Sequence, residues 1–237
     1  MEHYTYLLVD LLTVIFCFVF SFHSKIGFNR YFIPFLKAAV LVALPFIVWD
    51  SWFTASGIWW FNDRYLIGIR LLGLPLEEWL FFICIPFSCL FTYYIIQNNF
   101  QLLKWNDHFD KYFAAFCILV CLAISGLNIH KLYSFVTFLV TALSLLYLKF
   151  IAKVDWMGEV SLVYTILLIP FFMVNGVLTG TGLKEPIVNY NPAAHFNIRI
   201  LTVPIEDAVY GYNLIIWNIY FFKWFTKNLL QKTVDMN

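Results

Sequence analysis

Seven apolar runs, each long enough or nearly so to cross a bilayer core of about 30 Å as a helix, set the pattern of this chain. They cover residues 4–22, 34–53, 75–97, 112–127, 132–150, 161–178 and 204–222, the fourth being the shortest. Mid-run positions are mostly apolar, and polar groups collect towards one face. The pattern predicts an all-α polytopic membrane protein with seven transmembrane helices. Pro75 and Pro204 are expected in the first turn of their helices, where proline is tolerated. Two connecting segments, 54–74 and 179–203, are too long for minimal turns. The first carries Trp59, Trp60, Phe61 and Tyr65, the second Tyr190 and His195. Such aromatics act either as interfacial anchors or as a pair of lids over a cavity.

The pattern occurs twice. Arg70, Pro75, Glu77 and Glu78 recur at the same spacing as Arg199, Pro204, Glu206 and Asp207. Upstream, Pro45-Phe46 is followed by Asp50, Thr54 and Gly57, and Pro170-Phe171 by Asn175, Thr179 and Gly182 at identical offsets. Runs two and three therefore match runs six and seven, and by position run one matches run five. Run four is an odd linker, which gives both halves the same orientation: a 3+1+3 parallel repeat about an axis along the membrane normal. The expected division is 1–105 for the first three-helix half, 106–129 for the linker helix and 130–237 for the second half. Both acidic motifs would then open at one face and line one central cavity.

Composition agrees with membrane insertion. The chain of 237 residues is 62% hydrophobic and 12% charged, too apolar for a soluble domain of this size. A net charge of +1 argues against a nucleic-acid partner. The N-terminus has no basic region or small-residue cleavage site ahead of its apolar run, so that run is expected to be retained rather than removed as a signal peptide. Seven spans put ten Lys and Arg on one face, among them Lys104, Lys149 and Lys232, and five on the other. The positive-inside rule makes the richer face cytoplasmic, with the N-terminus outside and the C-terminus cytoplasmic. Cys17, Cys84, Cys89, Cys117 and Cys121 lie within apolar runs without metal spacing and read as small core residues. His3, His130 and His195 form no ligand set, so no metal is expected.

Ionisable groups at the mouths of membrane helices are costly, and their default reading is functional. In Pro-x-Glu-[Glu/Asp] the carboxylates fall in the first helical turn. Arg70 and Arg199 lie about a turn upstream and are expected to pair with one acid of each motif, leaving the other to face a cavity. That arrangement lets one acid donate a proton while another accepts one. The competing reading is a helix cap plus a structural salt bridge. Asp50 and Asn175, matched at the outer ends of runs two and six, are supporting candidates, as is Asp10 inside run one. Trp59, Phe61, Trp79, Tyr210 and Asn213 are the candidates for substrate contact. Tyr210 and Asn213 continue a polar stripe from Glu206, and the alternative for them is bonding between helices. No phosphate-binding loop and no Gly-rich dinucleotide fingerprint is present. Acids beside an aromatic-rich apolar space suit protonating an alkene, sheltering a carbocation and removing a proton.

Trp49-Asp50, Thr54, Gly57, Trp59, Phe61-Asn62, Tyr65, Pro75-Leu76-Glu77-Glu78-Trp79 and Pro204-Ile205-Glu206-Asp207 resemble the membrane-integral carotenoid lycopene cyclases. That family occurs as paired small subunits in some bacteria and fused in other bacteria, archaea and fungi; the linker helix here is similar to the fused form. The resemblance covers essentially the whole chain. It implies cyclisation of the linear ends of lycopene to β-ionone rings, through γ-carotene to β-carotene, without flavin, nicotinamide or other cofactor. It places the acidic roles on Glu77, Glu78, Glu206 and Asp207. It also implies lycopene or a related carotenoid as substrate, the lipid bilayer of a bacterial cell as location, and other carotenoid-pathway enzymes as partners. No fused phytoene synthase domain is expected. The rival readings are a carotenoid-binding protein, a small-molecule transporter with the same 3+1+3 plan, and a seven-helix retinal protein. The last needs a buried Lys that run seven lacks.

Overall fold

The computed structural model describes residues 2–100 and 107–235. Lys104 and the expected 105/106 boundary lie outside the described residues, as does the side chain of Lys232. The helices are α1 (Thr5–Ser21), α2 (Phe32–Ala55), α3 (Leu76–Asn99), α4 (Asp107–Leu127), α5 (Leu132–Leu146), α6 (Met157–Leu178) and α7 (Ile205–Asp235). Among the described residues, six segments are long and apolar enough to cross a membrane, and they correspond to α1 through α6. α7 falls outside that set because Glu206, Asp207, Asn213 and Asn218 dilute its apolar run. All four of those side chains are buried. On α1 the exposed face is instead apolar, with Leu12, Phe16 and Val19 turned outward. Apolar surface outside and polar groups inside is the pattern expected of helices solvated by lipid.

Pro45, Pro86 and Pro170 lie inside α2, α3 and α6, as membrane helices tolerate when neighbours satisfy the freed carbonyls. The end of α5 widens into a π-helical turn, Tyr147–Ile151, in which Ala152 N–H reaches the Tyr147 carbonyl at 2.8 Å. The extra residue carries Lys149 inward, where it forms a buried ion pair with Asp110 of α4. Lys149, counted above with the positive face, is thus neutralised inside the protein.

The connecting segments fold into short strands: β1 (Trp59–Phe61), β2 (Arg70–Leu71), β3 (Leu74–Pro75), β4 (Val188–Tyr190), β5 (Arg199–Ile200) and β6 (Val203–Pro204). β2 and β3 form an antiparallel hairpin with Arg70 opposite Pro75, and β5 and β6 repeat it with Arg199 opposite Pro204. This corrects the placement of the two prolines. Each ends a strand, and the helix begins one residue later. The reason is local pairing: Leu76 N–H bonds the Ile69 carbonyl at 2.9 Å and Ile205 N–H the Ile198 carbonyl at 3.1 Å, so the hairpin holds each proline before the first turn.

The chain divides into two compact units. The first contains α1, α2, α3 and α7 from Leu214 onward; the second contains α4, α5, α6, residues 57–60 and α7 as far as Asn213. In the first, α3 packs against α1 and α2. At one end of this unit Phe28, fully buried, sits among the rings of Phe87, Phe91, Tyr94 and Phe222. In the second, α4 packs on α5.

Candidate functional site

Each unit holds one acid pair, and the two pairs share a tyrosine hydroxyl on one acid and a backbone N–H on the other. In the first unit Glu77 and Glu78 occupy the first turn of α3 and are buried. Tyr6 of α1 donates its hydroxyl to Glu78 Oε2 at 2.5 Å. The Ile67 N–H donates to Glu77 Oε1 at 2.7 Å, whereas Glu77 Oε2 is buried without a hydrogen-bond partner. Asp10, one turn beyond Tyr6 on α1, is fully buried, lies within electrostatic reach of both glutamates, and has neither carboxylate oxygen hydrogen-bonded. Asp50 is also buried and acts electrostatically on Tyr6.

In the second unit Glu206 and Asp207 begin α7, likewise buried. Tyr133 of α5 donates to Asp207 Oδ1 at 2.5 Å, and Tyr190 of β4 donates to Oδ2 at 2.7 Å. The Phe196 N–H donates to Glu206 Oε1 at 2.8 Å, and Ser134 Oγ donates to the same oxygen at 2.6 Å. Glu206 Oε2, like Glu77 Oε2, is buried without a partner. Orphaned buried oxygens at matching positions are uncommon in folded proteins and call for an explanation.

The two arginines do something other than pair with the motif acids. Arg70 donates to Asp63 Oδ1 at 2.6 Å and to the Gly73 carbonyl at 3.1 Å. Arg199 donates to the Thr202 carbonyl and lies 5.6 Å from the ring centre of Tyr190. Both brace the tip of their hairpin, where Leu72 and Leu201 are held at positive φ, 52° and 56°. A non-glycine residue there is strained by roughly 1–3 kcal/mol, and persists only where neighbours impose it. The direct bonds at the acids come from tyrosine and serine hydroxyls and backbone N–H groups, and Arg199 acts on Asp207 only electrostatically.

The aromatic candidates divide. Trp59 is buried and meets Tyr133, Tyr190 and Tyr210 edge-on, with ring centres 5.2, 6.2 and 6.1 Å apart. This cluster sits directly on the residues that hold Asp207. Phe61 is buried, and Trp79 bonds the Leu71 carbonyl at 3.3 Å, bracing the first hairpin. Asn213 donates to Thr141 Oγ1 at 2.5 Å, tying α7 to α5 as the bland reading of its stripe allows. Asn175 donates to the Phe171 carbonyl of its own helix at 3.1 Å. Within the second unit a cavity of about 340 Å³ lies among α4, α5, α6 and α7, and α7 meets it at Ala208 and Val209, immediately after Asp207. Its wall is almost wholly apolar.

Tyr6, Tyr133 and Ser134 were not singled out by the sequence, and Tyr190 and His195 were named only as aromatics of a connecting segment. A signal for the first two existed: Tyr6 with Val9 aligns with Tyr133 with Val136 when run one is laid on run five. His195 is 1% exposed, accepts the Asn197 N–H on Nδ1 at 3.0 Å, and has no hydrogen-bond partner on Nε2. Burial pulls its pKa below the ordinary imidazole value, with Glu206 pulling the other way and Arg199 and Lys131 adding to the fall.

A protein from Podospora anserina described as a bifunctional lycopene cyclase/phytoene synthase is 36% identical over 70 residues, which is 28% of this chain and 12% of that protein. The chain thus aligns with only a small part of that longer relative. No solved structure matches. The lycopene cyclase family profile matches residues 3–96 and 130–225, two blocks that contain the two acid pairs and omit α4. Matched over most of its length, the chain belongs to the lycopene cyclase family.

Proposed function

We propose that the protein is a lycopene β-cyclase that closes the linear ends of lycopene by acid–base chemistry, giving γ-carotene and then β-carotene, with no redox cofactor. It is an intramolecular lyase, or isomerase: one proton enters, one leaves, and substrate and product have the same formula. Its plan is seven spans in a 3+1+3 repeat, with the N-terminus outside and residues 106–129 as the linker helix. The family match in two blocks supports that plan, as do the paired bonds Tyr6–Glu78 and Tyr133–Asp207.

The observation that carries the mechanism is the pair of bare oxygens. Glu77 and Glu206 each have one oxygen held by a backbone N–H and the other buried without a partner. A carboxylic acid so held presents its free edge in a fixed direction, as a general acid requires. Glu78 and Asp207 are instead fixed by tyrosines and supply negative charge beside the reacting atoms. The first step adds a proton to the terminal double bond of the polyene, leaving a tertiary cation. The next double bond attacks it, forming the ring carbon–carbon bond and moving the cation into the ring. Loss of a proton from the adjacent carbon to a carboxylate restores a double bond. Aromatic faces such as Trp59, Tyr133 and Tyr210 stabilise a cation within about 6 Å.

The test is cyclisation in D₂O by protein purified in lipid with lycopene alone. Acids that exchange with water between turnovers leave one solvent deuterium on each ring, at the carbon first protonated. Rings without deuterium there, or rings formed only when a flavin or nicotinamide is added, refute the mechanism.

A further inference from the structure

We propose that His195 is a positioning residue for the second acid pair: its Nε2–H receives the Glu206 carboxylate once Glu206 has given up its proton. This rests on the acid–base reading above and adds to it that the two pairs are chemically unequal.

The loop around His195 ties together the two helices that carry the second site. The Ala194 carbonyl accepts the N–H groups of Tyr133 and Ser134, at 2.9 and 3.4 Å, and so caps the start of α5. The Phe196 N–H, on the other side, holds Glu206 Oε1 at the start of α7. His195 lies between these two anchors and is buried. Its ring orientation is fixed by the Asn197 N–H on Nδ1. Asn197 takes a left-handed conformation, φ 62°, which asparagine tolerates, and its side chain ties back to the Pro192 carbonyl at 2.9 Å. A neutral imidazole carries one proton, and a nitrogen that accepts an N–H cannot hold it, so the proton is on Nε2.

A buried donor and a buried acceptor are therefore left over within electrostatic reach of each other: His195 Nε2–H and Glu206 Oε2. Leaving either unmet is costly, more so for a charged acceptor. While Glu206 is protonated the cost at Oε2 is small; when its proton passes to the substrate alkene, the new anion needs a donor. His195 supplies it and keeps its own proton throughout. The charged and titratable groups facing the ring are Glu206 from α7, Lys131 at the start of α5, Arg199 from β5 and Tyr190 from β4. In the first pair Ile67 plays the part of Phe196, and the residue before it is Leu66, an apolar side chain. Glu77 thus has no such donor from its loop, and the two pairs differ in what can receive the anion left after proton transfer.

The experiment compares His195→Asn, His195→Gln, Glu206→Gln and the double variant H195N/E206Q, purified in lipid and assayed on lycopene. Asn keeps an acceptor for the Asn197 N–H but does not reach the Nε2 position; Gln places an amide N–H there. The expected result is a fall in kcat of about tenfold or more for H195N at unchanged KM. Most of it returns in H195Q, and H195N/E206Q is no slower than E206Q. Wild-type turnover in H195N, no recovery in H195Q, or a further loss in the double variant overturns the proposal. If H195N does not insert, the pH profile decides. Protonating Nδ1 sets a proton against the Asn197 N–H, so wild type loses turnover on the acid side of the imidazole titration and H195Q does not; coincident profiles overturn it. Near-wild-type turnover in E206Q would instead refute the acid–base reading itself.

Discussion

Replacing Tyr133 with phenylalanine removes one hydroxyl and little volume, and asks how much the second acid pair depends on its tyrosine. The hydroxyl donates to Asp207 Oδ1 at 2.5 Å, and both groups are buried, 2% and 6% exposed. A hydrogen bond to a charged group in such surroundings is worth about 1.5–3 kcal/mol, because water cannot replace it. Tyr190 still donates to Oδ2 at 2.7 Å, so Asp207 keeps one of its two tyrosines and the site should not collapse. If that free energy is needed at the transition state, kcat falls by roughly 10- to 150-fold, at about 1.4 kcal/mol per factor of ten. The measurement is the initial rate of cyclised product from lycopene by purified protein in lipid, resolved by chromatography, with thermal unfolding followed in parallel. Tyr190→Phe should show a loss of similar size, and the double variant more than either, since one carboxylate then loses both hydroxyls. Wild-type turnover in Y133F with an unchanged thermal midpoint would show that Asp207 is merely a capped helix residue, and the assignment of charge to that pair would fall.

Glu77→Gln and Glu206→Gln keep the backbone N–H bond but cannot release a proton, so each should cut turnover by roughly 10²–10⁴ while the protein still inserts; near-normal cyclisation by both returns the motif to a capping role. Lys149→Met strands Asp110 as an unpaired buried charge and should destabilise the protein by about 3–5 kcal/mol, whereas the double variant with Asp110→Leu should recover much of the lost thermal midpoint. His195 has a folded-state pKa below its unfolded value, so its contribution to stability is complete above the unfolded pKa and is lost as pH falls through the folded one. The thermal midpoint of wild type should accordingly drop on acidification more than that of H195Q. A reporter fused after Asn237 should read as cytoplasmic; a periplasmic reading overturns the orientation.

Much of the fold was legible because membrane insertion writes itself into composition. Six apolar runs correspond to helices with ends shifted by only a few residues, since in lipid a run of that length has few alternatives to a helix. The repeated Pro-x-Glu-[Glu/Asp] motif singled out four carboxylates at helix mouths, a placement too costly to be incidental, and the fold buries all four. What the one-dimensional pattern could not carry was partnership. Arg70 is near Glu77 in sequence, yet the hairpin turns its guanidinium onto Asp63 and Gly73. The acids are met instead by Tyr6 and Tyr133, more than 70 positions away along the chain. Tyrosine, unlike a charged residue, gives no sign within an apolar run that it is needed. His195 is the extreme case. In the sequence it is a histidine in a connecting loop, and only the folding of residues 194–197 over the starts of α5 and α7 buries it within electrostatic reach of Glu206. Hydrophobic length is a property of a segment and can be read from that segment alone, whereas a buried hydrogen bond belongs to two segments and exists only once tertiary packing has brought them together.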